Sequence, residues 1–144
     1  MPDGAHRIHP PHCRHWRTPR TRRRKADPVP PDTYQAVGKF ANIVLDGTCH
    51  KVFYLEAGEG IPILCQHTAG NENRQYRHLL EDRELTKNYR VIAYDLPAHG
   101  KSDPPDGRDF FAGDNLLSSD WITGFVLAMS NALQLDRPIF LGCS

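Results

Sequence analysis

The sequence predicts an α/β fold: an N-terminal β-hairpin followed by a parallel βαβαβ unit, with helices on both faces of the sheet. Three observations lead there. Two alternating runs rich in β-branched and aromatic residues flank Asp46-Gly47. Three short apolar runs follow, at Ile61–Cys65, Tyr89–Tyr94 and Ile139–Leu141. Two stretches with apolar residues at helical spacing separate them. Continuous apolar strands alternating with helices indicate a parallel sheet buried on both sides.

The hairpin strands are Lys39–Asp46 (KFANIVLD) and His50–Glu56 (HKVFYLE). The Asp-Gly pair between them suits a tight turn that needs positive φ twice. Ala57-Gly58-Glu59-Gly60 is a loop, and Ile61–Cys65 the next strand. Asn71 to Asn73 offer N-caps for a helix over 74–84, whose apolar stripe is Tyr76, Leu79 and Leu80. Tyr89–Tyr94 reads as a buried strand ending at Asp95. A turn-rich loop over 96–114 carries Pro97, Gly100, Pro104, Pro105 and Gly107. Ser118 or Ser119 caps a helix over 120–135, with Trp121, Phe125, Ala128, Ala132 and Leu135 on one face. Arg137-Pro138 then leads into Ile139-Phe140-Leu141, read as a fully buried strand.

The chain has 144 residues, 39% of them hydrophobic, enough for the core of one domain. Its net charge of +1 hides an asymmetry, since residues 1–31 carry +6 and the remainder −5. An acidic remainder argues against a nucleic-acid or anionic-membrane partner. Residues 1–33 form a His/Arg/Pro-rich stretch holding seven of the twelve prolines, and read as a disordered extension to a domain over 34–144. His6, His9, His12 and His15, with Cys13 among them, have the residue types of a metal site. Pro10-Pro11 breaks the helix that would align them, so no metal and no cofactor is expected. Arg22-Arg23-Arg24-Lys25 has no reading element attached, which argues against nucleic acid again. The stretch also lacks the Ser of a mitochondrial presequence and the apolar core of a secretory signal. No run approaches the ~20 apolar residues of a membrane span. Four cysteines without a C-x-x-C pair suit a reducing, cytoplasmic setting.

In parallel sheets ligands bind at the carboxyl ends of the strands. Three polar segments fall there: His67 to Gly70, Asp95 to Ser102, and Gly142-Cys143-Ser144. A Gly two places before a Ser at a strand end is the first half of the G-x-S-x-G nucleophile elbow. Its sharp turn lifts the hydroxyl above the sheet edge.

Taken together, the three segments resemble the N-terminal half of an α/β-hydrolase, over residues 38–144. The first is similar to that family's His-Gly oxyanion loop, here His67-Thr68-Ala69-Gly70. The second is similar to its D-x-P-G-x-G-x-S stretch, here Asp95-Leu96-Pro97-Ala98-His99-Gly100-Lys101-Ser102, and the third to its elbow strand. They are separated by 28 and 49 residues, as in the family. The resemblance implies Ser144 as nucleophile and Ala69, or else Thr68, as an oxyanion donor. Thr68 stands where Gly is usual, which puts the donor's position in question, because Thr does not take positive φ cheaply. His67, Gly70, Asp95, His99, Gly100 and Gly142 are implied as motif and loop-packing residues. Neither His67 nor His99 is the implied base, and Asp95 is not the implied acid, because the family order is Ser, acid, His. Cys143, read as a buried strand-end thiol, is expected to be inert.

The resemblance therefore implies a serine hydrolase, esterase-like and metal-independent, acting on a small ester-like substrate through an acyl-enzyme. A Ser nucleophile in place of Asp sets the chain apart from the dehalogenase and epoxide-hydrolase branches of the fold. C–C bond hydrolases and haloperoxidase-like members also use Ser and stay open, as does a non-catalytic pseudo-hydrolase fragment that binds a partner. The implied acid and histidine both follow the nucleophile. The 144 residues are accordingly expected to be a truncated piece, catalytically silent and poorly stable alone.

Overall fold

The computed structural model describes residues 35–105 and 117–143. The N-terminal extension with its His, Cys and Arg residues, part of the turn-rich loop, and Ser144 lie outside the described residues. Strand β1 (Val37–Leu45) and strand β2 (Thr48–Ala57) form the expected antiparallel hairpin. Asp46 and Gly47 both have positive φ, 51° and 73°, as a tight two-residue hairpin turn requires.

Strand β3 (Ile61–Gln66) leads into a 3-10 turn (Asn73–Tyr76) and two short helices, α1 (Arg77–Glu81) and α2 (Arg83–Thr86). Strand β4 (Tyr89–Tyr94), helix α3 (Ser119–Ala132) and strand β5 (Ile139–Gly142) complete the order. The strands lie side by side as β1-β2-β4-β3-β5. β2 is antiparallel to β4, while β3 runs parallel to both β4 and β5. The chain thus leaves β3 to one side, forms β4, and returns to the other side as β5.

Successive residues of the central strands feed two cores. Leu64, Ile92 and Tyr94, with Ile43, Val52 and Tyr54, meet Phe125 and Met129 of α3. Ile63, Cys65, Val91 and Ala93 meet Leu80 of α1 and Tyr76. Burial on both faces explains why these strands are apolar without alternation.

Four expectations are corrected. The helix over 74–84 is broken, because Asp82 is extended and its carboxylate accepts the Glu84 and Leu85 N–H groups, capping α2. No side chain of Asn71 to Asn73 caps the 3-10 turn, since Asn71 Oδ1 is taken by Glu72 N–H just outside it. Helix α3 ends at Ala132 instead of Leu135, and its inner face runs through Phe125 and Met129, with Ala132 exposed. Ser118 is its cap, accepting from Trp121 N–H. Finally, β5 is not buried: Ile139, Phe140 and Leu141 are 47%, 47% and 40% exposed. The strand pairs with β3 on one side, and no described helix covers it, because α3 packs chiefly against β1 at the far edge of the sheet.

Candidate active site

The register of the parallel strands places the three motifs level with one another. Gln66 is paired with Tyr94 on β4 and with Gly142 on β5. One residue further on stand His67, Asp95 and Cys143, and Cys143 N–H donates to the Gln66 carbonyl at 3.2 Å. The chain reverses direction across the sheet between β3 and β5, and such a switch point opens a crevice at the carboxyl ends. The segment Gly142-Cys143 leaves the sheet beside the loop that follows β3.

Asp95 organises the loop after β4. It is fully buried. Its Oδ1 accepts Asn73 N–H at 2.6 Å and its Oδ2 accepts Lys101 N–H at 2.9 Å. Its carbonyl accepts the Ser102 hydroxyl at 2.7 Å, and Ser102 Oγ in turn accepts Phe53 N–H at 2.9 Å. One side chain therefore ties the loop after β3 to the loop after β4, and Ser102 ties the latter to β2. With both oxygens occupied, Asp95 holds the two loops together.

His67 is buried, and both ring nitrogens are engaged. Leu96 N–H donates to Nε2 at 3.0 Å, so the proton sits on Nδ1 and is donated to the Thr68 carbonyl at 2.8 Å. Burial pushes its pKa below the ordinary imidazole value, and the neighbouring His99, 5.2 Å away between ring centroids, pushes the same way. The Thr68 carbonyl bond and the charges of Asp95 and Glu72 oppose without prevailing. A neutral imidazole in the folded state and an ordinary one when unfolded make stability pH-dependent. Stability is full above about pH 6.5 and falls as pH drops through that value toward the lowered folded pKa. In His67→Gln this loss of stability between pH 7 and 5 should shrink, as followed by urea unfolding. An unchanged pH slope would contradict the assignment.

Thr68 does not take positive φ; the loop's left-handed residue is Gly70, at φ 77°. The Thr68 N–H is donated to Gln75 Oε1 at 3.1 Å. Ala69 N–H has no acceptor among the described residues. Across from this loop, Ala98 stands where the family's stretch has Gly, and it adopts φ 61°. Gly100, at φ 52°, lies so close to Asp95 that a Cβ there would sit 2.2 Å from Oδ2. The two loops wall a cleft of about 350 Å³ lined by Gly70, Asn71, Glu72, Ala98, His99 and Gly100. His99 is half-buried, with Nδ1 donating to the Pro97 carbonyl at 3.0 Å.

Cys143 is exposed, against the expectation of a buried thiol, because β5 is uncovered. Cys65 is buried, and burial pushes its thiol up to about 12, which keeps it protonated and inert. Among the described residues no group of three metal-ligating side chains converges. No described helix is long and apolar enough to cross a membrane. The sequence does not mark Asn73, Gln75, Tyr76 or Ser102 as residues that shape a site. Ser102 alone had a signal, as the last position of the Asp95–Ser102 motif.

No family model and no curated protein matches the sequence. Solved structures do match the fold. An epoxide hydrolase from Vigna radiata aligns with TM-score 0.59 and 19% identity, over 75% of this chain and 32% of its own. An epoxide hydrolase from an endophytic Streptomyces aligns with TM-score 0.60 and 22% identity, over 75% and 29%. A haloalkane dehalogenase from Agrobacterium tumefaciens aligns with TM-score 0.52 and 23% identity, over 73% and 32%. The fold is that of part of an α/β-hydrolase. The chain spans about a third of the length of these α/β-hydrolase-fold proteins.

Proposed function

We propose that this chain supplies the nucleophile, Ser144, and one oxyanion donor, the Ala69 N–H, of a metal-independent serine hydrolase acting on ester-like acyl compounds. The observation that carries this reading is the register setting Gly142 level with Gln66, with Cys143 N–H on the Gln66 carbonyl. The residue after Cys143 thereby follows a strand end that adjoins the loop carrying Ala69. Attack by a Ser hydroxyl on an acyl carbon places negative charge on the carbonyl oxygen, and a backbone N–H without an internal acceptor can receive it. The motif puts the second donor on the residue after the nucleophile.

The fold's neighbours are named for epoxide and haloalkane hydrolysis, but identities of 19–23% carry the fold and not the chemistry. Ser at position 144 supports acyl transfer, with formation and hydrolysis of a seryl ester. The hydroxyl needs a base. His67 has no free ring nitrogen, and His99 lies on the loop after β4, separated from β5 by the width of β3. Neither therefore serves as the base, and the motif order that the chain resembles, Ser then acid then His, puts the base and its acid partner after the nucleophile. Free Cys49, Cys65 and Cys143 support a reducing, cytoplasmic setting. The acidic balance outside residues 1–31 supports a small-molecule substrate over nucleic acid.

Turnover of a short-chain aryl ester tests the reading. We expect none above background from residues 1–144, and turnover once the segment is joined to the later strands of an α/β-hydrolase. Ser144→Ala should then remove at least about 10⁴-fold of kcat. Turnover that survives Ser144→Ala would overturn it.

A further inference from the structure

The 3-10 turn Asn73–Tyr76 is short, yet three of its four residues hold a different part of the site. Asn73 N–H is bound by Asp95 Oδ1 at 2.6 Å, which hangs the turn from the end of β4. Tyr76 is buried against the other two strand ends. Its hydroxyl donates to the Gln66 carbonyl at 2.6 Å and lies 3.4 Å from the Leu141 carbonyl. Burial pushes this hydroxyl up to about 12, so it remains a donor throughout the neutral range. Gln75 stands between these two anchors. Its Oε1 accepts both Thr68 N–H and Asn71 Nδ2, each at 3.1 Å.

Successive N–H groups at 68 and 69 leave the same strand end, and both are candidates to bind a developing oxyanion. They are not equivalent, because Gln75 has already satisfied the first. A donor committed to an internal acceptor contributes little to a transition state, while an uncommitted, preorganised one contributes most. The Thr68 carbonyl is committed too, to Asn71 N–H at 3.1 Å and to His67 Nδ1, which closes the turn around Ala69.

We propose that Gln75 is a positioning residue that selects the oxyanion donor: its carboxamide oxygen withdraws the Thr68 N–H and leaves the Ala69 N–H facing the substrate. The inference rests on the serine-hydrolase reading for its catalytic meaning, but the selection itself is a property of the unliganded chain. Gln75 does not touch the reacting atoms. It acts through the loop, and it is held in place by Asn73 and Tyr76 on either side.

Residue-resolved amide hydrogen exchange on the full chain, without substrate, tests this. In the wild type, Thr68 N–H should exchange at least about tenfold more slowly than Ala69 N–H, each relative to its unstructured rate. Gln75→Leu, which keeps the bulk but has no acceptor, should abolish that difference while protection in β2 and β4 is unchanged. Gln75→Glu, which retains an acceptor oxygen, should restore it. A general loosening of structure would not be rescued by Glu and would not spare β2 and β4. Equal protection of Thr68 and Ala69 in the wild type overturns the proposal, and so does a Thr68 rate unmoved by Gln75→Leu. If Gln75→Leu fails to fold, the wild-type contrast and the Glu variant still decide. Persistence of ester turnover in Ser144→Ala would instead refute the serine-hydrolase reading and leave the exchange result standing.

Discussion

Replacing Asp95 by Ala lowers the unfolding free energy by about 2–4 kcal/mol. The carboxylate is fully buried and accepts two backbone N–H groups, from Asn73 and Lys101. A buried donor left without an acceptor costs about 1–3 kcal/mol; Ala strands the buried Asn73 N–H outright and removes the acceptor of the part-buried Lys101 N–H, which water partly replaces. Asp95→Asn gives little relief, because an amide offers only one acceptor and turns its NH₂ toward an N–H. Both variants should shift the urea midpoint down together. A loss under about 1 kcal/mol for Asp95→Ala would mean that the two loops are held by something else.

Gly100→Ala is the second large effect, and it acts through the same carboxylate. The residue is left-handed, at φ 52°, which costs an L-residue about 1–2 kcal/mol by itself. The added Cβ would sit 2.2 Å from Asp95 Oδ2, so the carboxylate must also give up its place. The expected total is about 3–5 kcal/mol. Gly70 supplies the control: it is also left-handed, at φ 77°, but a Cβ there meets nothing within 4 Å. Gly70→Ala should therefore cost only the backbone part. A double-mutant cycle separates the two contributions to Gly100→Ala. If the clash works through Asp95, the Gly100→Ala cost measured in Asp95→Ala falls to the backbone part. Full additivity would contradict the shared mechanism.

These two residues were legible in sequence as parts of a motif, and so was the frame that carries them. Asp46-Gly47 announces a hairpin because few other pairs take positive φ twice. Ile61–Cys65 and Tyr89–Tyr94 announce buried parallel strands because apolar residues occupy both faces. The end of α3 was not legible. It closes with Gln134 at φ 52°, Gln134 N–H on the Asn131 carbonyl and Leu135 N–H on the Ser130 carbonyl. That stop is ordinarily marked by Gly, and Gln gives no warning. The break at Asp82 had a signal that a long helical stripe outweighed, since a short acid two residues before Glu84 is a natural cap. The exposure of β5 was hidden for another reason: an apolar run records what a strand can bury, not which elements lie over it. Gln75 and Tyr76 gave no signal either, because their bonds to Thr68, Gln66 and Leu141 join segments whose approach only the folded sheet sets.

In the function proposed above, Ser144 takes an acyl group from the substrate. Incubating the segment, joined to the later strands of an α/β-hydrolase, with an aryl ester and quenching in acid should trap a covalent adduct one acyl group in mass. Peptide mapping should place it on Ser144, with none in Ser144→Ala and none on residues 1–144 alone. An adduct on Cys143, or one that persists in Ser144→Ala, would contradict the assignment.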